Sequence, residues 1–141
     1  MIRLSFYDDW QAESLNDIYR VIFAGLSEKG GKWADFRQAV DERRAQGDFY
    51  LGDGLLLPHC WWPGEPRLMF FRLDRPIAWE AETISRIIFF CLAPEGRSEL
   101  RTALEICFRE KGVTMFLRTK GTEFQMFLQA ELKKGGIDYE I

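Results

Sequence analysis

This chain of 141 residues has one histidine, His59, and three cysteines, Cys60, Cys91 and Cys107. One imidazole with scattered thiols offers no metal-ligand spacing, so no metal centre is expected. An odd cysteine count without a local pairing pattern excludes a disulfide framework, and with no leader-like opening it points to a reducing cytoplasm. No stretch approaches the ~20 apolar residues of a membrane helix, so direct membrane insertion is not expected. The net charge is −3 and no Lys/Arg block or basic tail is present, which sets aside non-specific nucleic-acid binding. There is no repeat, linker or low-complexity segment, so residues 1–141 read as a single domain.

What the chain does have is apolar bulk. Hydrophobic residues make up 47%, with 12 Phe and 5 Trp, enough to build a substantial core at this length. Asp8-Asp9 is placed to cap a helix starting near Trp10, whose apolar positions Leu15, Ile18, Tyr19, Ile22, Phe23 and Leu26 recur at helical spacing before Gly30-Gly31. A second helix is expected over 32–46, with Trp33, Phe36 and Val40 on one side and Gly47 ending it. The period then changes. Phe49-Tyr50-Leu51 and Leu55-Leu56-Leu57 are short apolar runs around a Gly52-Asp53-Gly54 turn. Residues 67–73 read as a strand, 76–79 as a short edge element, and 86–93 as a central strand covered on both faces. After Pro94-Glu95-Gly96 a helix is expected over 98–111, with Leu100, Ala103, Leu104 and Cys107 buried. Residues 113–117 fit a short helix or a strand. Thr122-Glu123-Phe124-Gln125 has the form of a capping box for a last helix ending near Lys134. Helices flanking a group of strands make an α/β fold, a mixed β-sheet sandwiched between helices.

His59 ends the run Gly54-Leu55-Leu56-Leu57-Pro58-His59. Imidazole titrates near neutrality and can serve as base, nucleophile or ligand. Pro58 fixes its own φ and lacks an N–H, so a strand entering from Leu55 should stop there and present His59 at a sheet rim, on a constrained turn. A structural histidine hydrogen-bonded at a strand end fits the same residues. Cys60 adjoins His59, but neighbours on an extended segment point to opposite sides, which disfavours a Cys–His nucleophilic pair or a small-ligand hydrolase built on one.

The segment Gly52-Asp53-Gly54-Leu55-Leu56-Leu57-Pro58-His59, followed by the small Cys60, resembles the IIA domain of the mannitol/fructose class of the bacterial sugar phosphotransferase system, including its nitrogen-regulatory relatives. Arg72-Leu73-Asp74-Arg75-Pro76-Ile77-Ala78-Trp79 is similar to that family's "L-x-x-P-I-x-W/F" segment, and Ile87 to Pro94 to its strand ending in "L-A-P". The resemblance runs from the first helix to about Leu132. Leu56 and Tyr50 depart from it, standing where alanine and glycine are usual.

The resemblance implies a mixed-sheet IIA fold and a phosphocarrier needing no cofactor. His59 would accept a phosphoryl group from the phosphocarrier HPr and pass it to a IIB domain on the way to a sugar. Arg43 matches the family's active-site arginine by spacing, and Asp53 a position near the histidine that carries an acid or amide. The second histidine common in the family falls at Glu99, or at Ser98 if the gap shifts by one. Phosphoryl transfer asks for positioning and charge stabilisation, which an imidazole, a guanidinium fork and backbone N–H groups near Gly52, Gly54 and Ser98 could supply. Asp53 would fix the imidazole tautomer or meet a basic partner. The sequence also allows plainer roles. Arg43 and Arg44 suit a helix C-terminus, Glu99 a helix first turn, and Asp53 a turn. Trp61-Trp62 fit a partner contact or the core. The second functional reading is a non-catalytic regulatory or protein-binding module on the same fold.

Overall fold

The computed structural model describes residues 1–26, 30–93 and 96–141. Pro94 and Glu95, the end of the expected "L-A-P" strand and the start of the loop after it, lie outside the described residues.

Two long strands form the spine. β5 (Arg67–Trp79) and β6 (Glu82–Leu92) pair antiparallel, joined by a tight turn. Period-2 alternation sends Met69, Phe71, Ile87 and Phe89 to one face and Leu68, Phe70, Ile88 and Phe90 to the other. Both faces are covered, as the near-continuous apolar run in β6 predicts. β5 is longer than expected. Residues 76–79, read as a separate edge element, continue the same strand across a register shift between Arg72 and Ile77 that accommodates Pro76.

The first correction falls at the N-terminus. Residues 2–10 form β1 (Ile2–Trp10), parallel to β5, where the sequence suggested a helix cap at Asp8-Asp9. The helix α1 (Leu15–Leu26) starts later and has its own cap. The Asp17 amide donates to Ser14 Oγ at 3.4 Å, and Asp17 Oδ2 accepts from the Ser14 and Glu13 amides at 3.2 and 2.9 Å. The acids at 8–9 mark a bulge instead, with Asp9 at φ 50°. Pairing with β5 decides the matter, since it buries Ile2 and Leu4 completely.

α2 (Trp33–Gln46) has the expected bounds. β2 (Tyr50–Gly52) and β3 (Leu55–Leu56) form the predicted hairpin around Asp53. Gly54 (φ 75°) brings that hairpin hard against β6: its carbonyl accepts from the Ser85 and Arg86 amides at 2.9 and 3.1 Å, and a Cβ there would lie 2.8 Å from Ser85 Oγ. β4 (His59–Trp61) also pairs with β6.

The expected helix over 98–111 is two. α3 (Arg97–Phe108) stops at Arg109, whose extended backbone starts α4 (Glu110–Arg118), the helical answer for residues 113–117. α4 folds back on the end of α3 through Gly112, where a Cβ would sit 2.7 Å from the Cys107 carbonyl oxygen. α5 (Gly121–Lys134) ends as expected but begins at Lys120–Gly121, without the Thr122 capping box. Only Thr119 and Lys120 separate it from α4, and Gly121 lies tightly against the Asp8 carboxylate, which fixes the entry. A short β7 (Tyr139–Glu140), not anticipated, pairs parallel with β1.

The sheet order is β2-β3-β6-β5-β1-β7, with β4 also on β6. α1 and α2 cover one face, and α3, α4 and α5 the other. This is the α/β sandwich the sequence implied. Among the described residues no helix is long and apolar enough to cross a membrane.

Candidate functional site

Pro58 interrupts a strand line without ending it. Leu56 pairs with Ile87 and His59 with Phe90, so the parallel register with β6 is kept across Leu57-Pro58. His59 is therefore at the rim of the sheet, as the proline suggested, but on a strand and not on a turn. It opens β4, whose one partner among the described strands is β6, and the Phe90 amide donates to the Pro58 carbonyl at 3.3 Å. Alternation then sorts the side chains. Cys60 is wholly buried in the core beneath α1 and α2, while His59 and Trp61 point to the face that carries α3. Burial and a hydrogen bond with Cys60 push the Cys91 thiol well up, and burial pushes Cys107 up to about 12. These thiols are packing residues, and a hydrolase at Cys60 has no access to substrate.

The imidazole of His59 is half-buried and tightly oriented. Its ring lies parallel to that of Phe90, at 4.6 Å and 4°, with Phe49 tilted against it at 5.1 Å. Nδ1 is 3.0 Å from the Leu57 carbonyl oxygen. A carbonyl only accepts, so Nδ1 carries the proton and Nε2 is left with its lone pair. Burial draws the pKa of His59 below its ordinary 6.5; the Leu57 hydrogen bond opposes this, and the charge of Arg43 adds to the lowering. The ring is neutral at pH 7.

Arg43 sits in the last turn of α2, which packs beside β4. Nη1 donates to Gln46 Oε1 at 3.2 Å, and Nε is buried with no partner. Its neighbour Arg44 turns away, giving Nη2 to both Glu80 oxygens at 3.1 Å and lying 4.9 Å over Trp79. Arg43 lines a groove of about 610 Å³ with Trp61, Leu92, Arg97, Leu100 and Phe108. Trp61 is 44% exposed, and the Arg97 guanidinium stacks 4.7 Å above its ring.

Of the residues singled out from sequence, His59 and Arg43 share electrostatic reach. The other three lie elsewhere. Asp53 is exposed at the β2–β3 turn with φ 53°, beside Ser85–Arg86. That is four positions along β6 from Phe90, about 13 Å at the rise of a strand. Leu57, not Asp53, holds the imidazole proton. Glu99 Oε2 is 3.2 Å from the Met1 amino group, and Ser98 is exposed with its carbonyl accepting from Thr102 Oγ1 at 3.0 Å. The sequence reading missed Phe90, Leu57 and Arg97. The first two follow from register once β4 is placed on β6. Arg97 follows from the position at which α3 begins.

Residues 4–119 match the family described as "Phosphoenolpyruvate-dependent sugar phosphotransferase system, EIIA 2". Among curated proteins, the "Putative frv operon regulatory protein" of Escherichia coli (strain K12) is 31% identical over 97 residues. That match takes in 67% of this chain and 17% of the relative, so the chain spans about a sixth of the length of that protein. The fold is similar to that of the nitrogen-regulatory protein IIA-Ntr from Neisseria meningitidis, with a TM-score of 0.64 and 17% identity over 90% of this chain and 92% of that one. It is also similar to enzyme IIA-mannitol of Escherichia coli, solved in complex with phosphorylated enzyme IIB-mannitol, with a TM-score of 0.56 and 14% identity over 89% and 94% of the two chains. The chain belongs to the EIIA 2 family of the phosphoenolpyruvate-dependent sugar phosphotransferase system.

Proposed function

We propose that this domain is a phosphoryl carrier of the cytoplasm, taking the group from an HPr-like phosphocarrier onto His59 Nε2 and giving it to a IIB domain. The observation that carries the reading is the fixed, neutral imidazole, with Nδ1–H on the Leu57 carbonyl and the charge of Arg43 reaching the ring. The Nε2 lone pair attacks phosphorus in line, and the donor's bond to phosphorus breaks, its electrons leaving with the donor. The ring keeps its Nδ1 proton and gains positive charge, which the Leu57 carbonyl steadies and the phosphoryl dianion offsets. When an acceptor on IIB attacks in turn, a neutral imidazole leaves, so the relay is reversible. The buried, unpaired Nε of Arg43 and its Nη2 are donors in reserve for the equatorial oxygens.

The groove beside the site gives a partner an apolar floor of Trp61, Leu92, Leu100 and Phe108. A IIB domain suits this role because the related IIA-mannitol was solved with phosphorylated IIB-mannitol. Asp53 remains a candidate rim contact for a basic partner. Incubation with phosphorylated HPr should place an acid-labile phosphate on the wild type and none on His59→Ala; label persisting in the variant rules out the site.

The likeness to the frv operon regulatory protein favours a second reading, in which the domain regulates a partner. A His59→Ala domain that still binds its partner and keeps the cellular phenotype would favour a regulatory module independent of phosphate.

A further inference from the structure

We infer that Arg97 is a second phosphoryl-binding residue, joining Arg43 at the group carried by His59. The inference rests on the reading of His59 as phosphoacceptor. Trp61 follows His59 by two positions on β4, so both side chains leave the same face of the sheet. The Arg97 guanidinium stacks on that indole at 4.7 Å and lines the same groove as Arg43.

Charge accounting singles it out. A bound phosphoryl group brings nearly two negative charges and three acceptor oxygens, and one guanidinium fork serves two of them. Arg43 has already given Nη1 to Gln46. Other arginines within reach of the groove or its flanks are committed: Arg44 to Glu80, and Arg101 to Glu105 at 3.3 Å. Among the described residues no carboxylate pairs with Arg97. Its hold is the indole face, which fixes the plane of the guanidinium and consumes none of its N–H groups. An arginine so held is pre-oriented, and the ring contact leaves its donors to give.

The test separates phosphoryl binding from partner docking by using phosphoramidate, a small donor that needs no docking surface. His59 Nε2 forms the new bond to phosphorus, the reagent's P–N bond breaks, and ammonia leaves with that electron pair. Uptake at His59 is followed by phosphorus NMR on the wild type, Arg97→Ala, Arg97→Lys and Glu99→Gln. Arg97→Ala should slow uptake roughly tenfold, the loss of one charge-assisted hydrogen bond in the transition state. Arg97→Lys should recover part of the rate, and Glu99→Gln should match the wild type. All four should melt alike, because Arg97 is on the surface. Equal rates for wild type and Arg97→Ala overturn the inference alone. So does slowing seen with phospho-HPr but not with phosphoramidate, which would make Arg97 a docking contact. A wild type that takes no phosphate on His59 overturns the underlying reading as well.

Discussion

Arginines gather at two places on this sheet, and the fold treats them in opposite ways. Between β1, β5, β6 and the α4–α5 corner, Arg72 and Arg86 face each other in register and share one acceptor, the Phe116 carbonyl, at 2.6 and 3.4 Å. Arg72 is 8% exposed and also reaches Asp8 at 3.6 Å, while Arg86 gives a further bond to the Ser85 carbonyl. Burial draws the pKa of both guanidiniums down, and Asp8 and Asp9 push back. That site borders a cavity of about 580 Å³, but both of its arginines are bonded to acceptors of the protein itself. At the other place, Arg43 keeps a buried Nε with no partner among the described residues, and Arg97 lies on a ring face. Clustered arginine is thus no sign of anion binding in itself. What separates the two regions is how many donors the protein has left unused.

The contrast breaks most readily at Arg72. Arg72→Ala removes the shorter of the two bonds to the Phe116 carbonyl, the ion pair with Asp8 and a buried side chain, so it should cost about 3 kcal/mol in denaturant unfolding and leave phosphoryl uptake by the folded fraction unchanged. Arg43→Ala should do the reverse. Its stability should stay within about 0.5 kcal/mol, because its own bond to Gln46 is an exposed one, while its rate of phosphorylation from phosphoramidate falls by about 2 kcal/mol of barrier, roughly thirtyfold. If both variants lost stability alike, the two regions would not differ in kind. Phe90→Leu trims the ring stacked on His59 and should cost about 1 kcal/mol while moving the imidazole pKa back towards 6.5.

The smallest effect is on pH. The folded pKa of His59 lies below its unfolded value, so the unfolded chain binds the proton first as pH falls. The contribution of the neutral ring is fully present above about pH 6.5 and is lost as pH drops from there through the folded pKa. His59→Gln should flatten that slope in a stability–pH series; an unchanged slope assigns it to other groups.

Much of this was legible in the sequence, for identifiable reasons. The alternating and continuous apolar runs of β5 and β6 and the helical spacing in α1 and α2 survive because burial enforces them. β1 was not visible, because its outer half carries Asp8 and Asp9, which resemble a helix cap until β5 pairs with it. The end of α3 falls at the exposed polar run Arg109-Glu110-Lys111, which gives no sharp boundary, so the sequence pattern carries the helix to 111 where α3 stops at Phe108. At the site, His59 and Arg43 could be named from motif and spacing. The tautomer could not, since it depends on a backbone carbonyl two residues away. Nor could the place of Arg97, which starts α3 and meets an indole carried by β4.

The claim on which the rest stands is that Leu57 holds the proton on Nδ1 and leaves Nε2 free to react. Two-bond proton–nitrogen spectra of the imidazole at pH 7, before and after treatment with phosphoramidate, test it directly. The account predicts a neutral ring protonated at Nδ1, and phosphorus bonded to Nε2 afterwards. A ring protonated at Nε2, or a phosphate found on Nδ1, contradicts it.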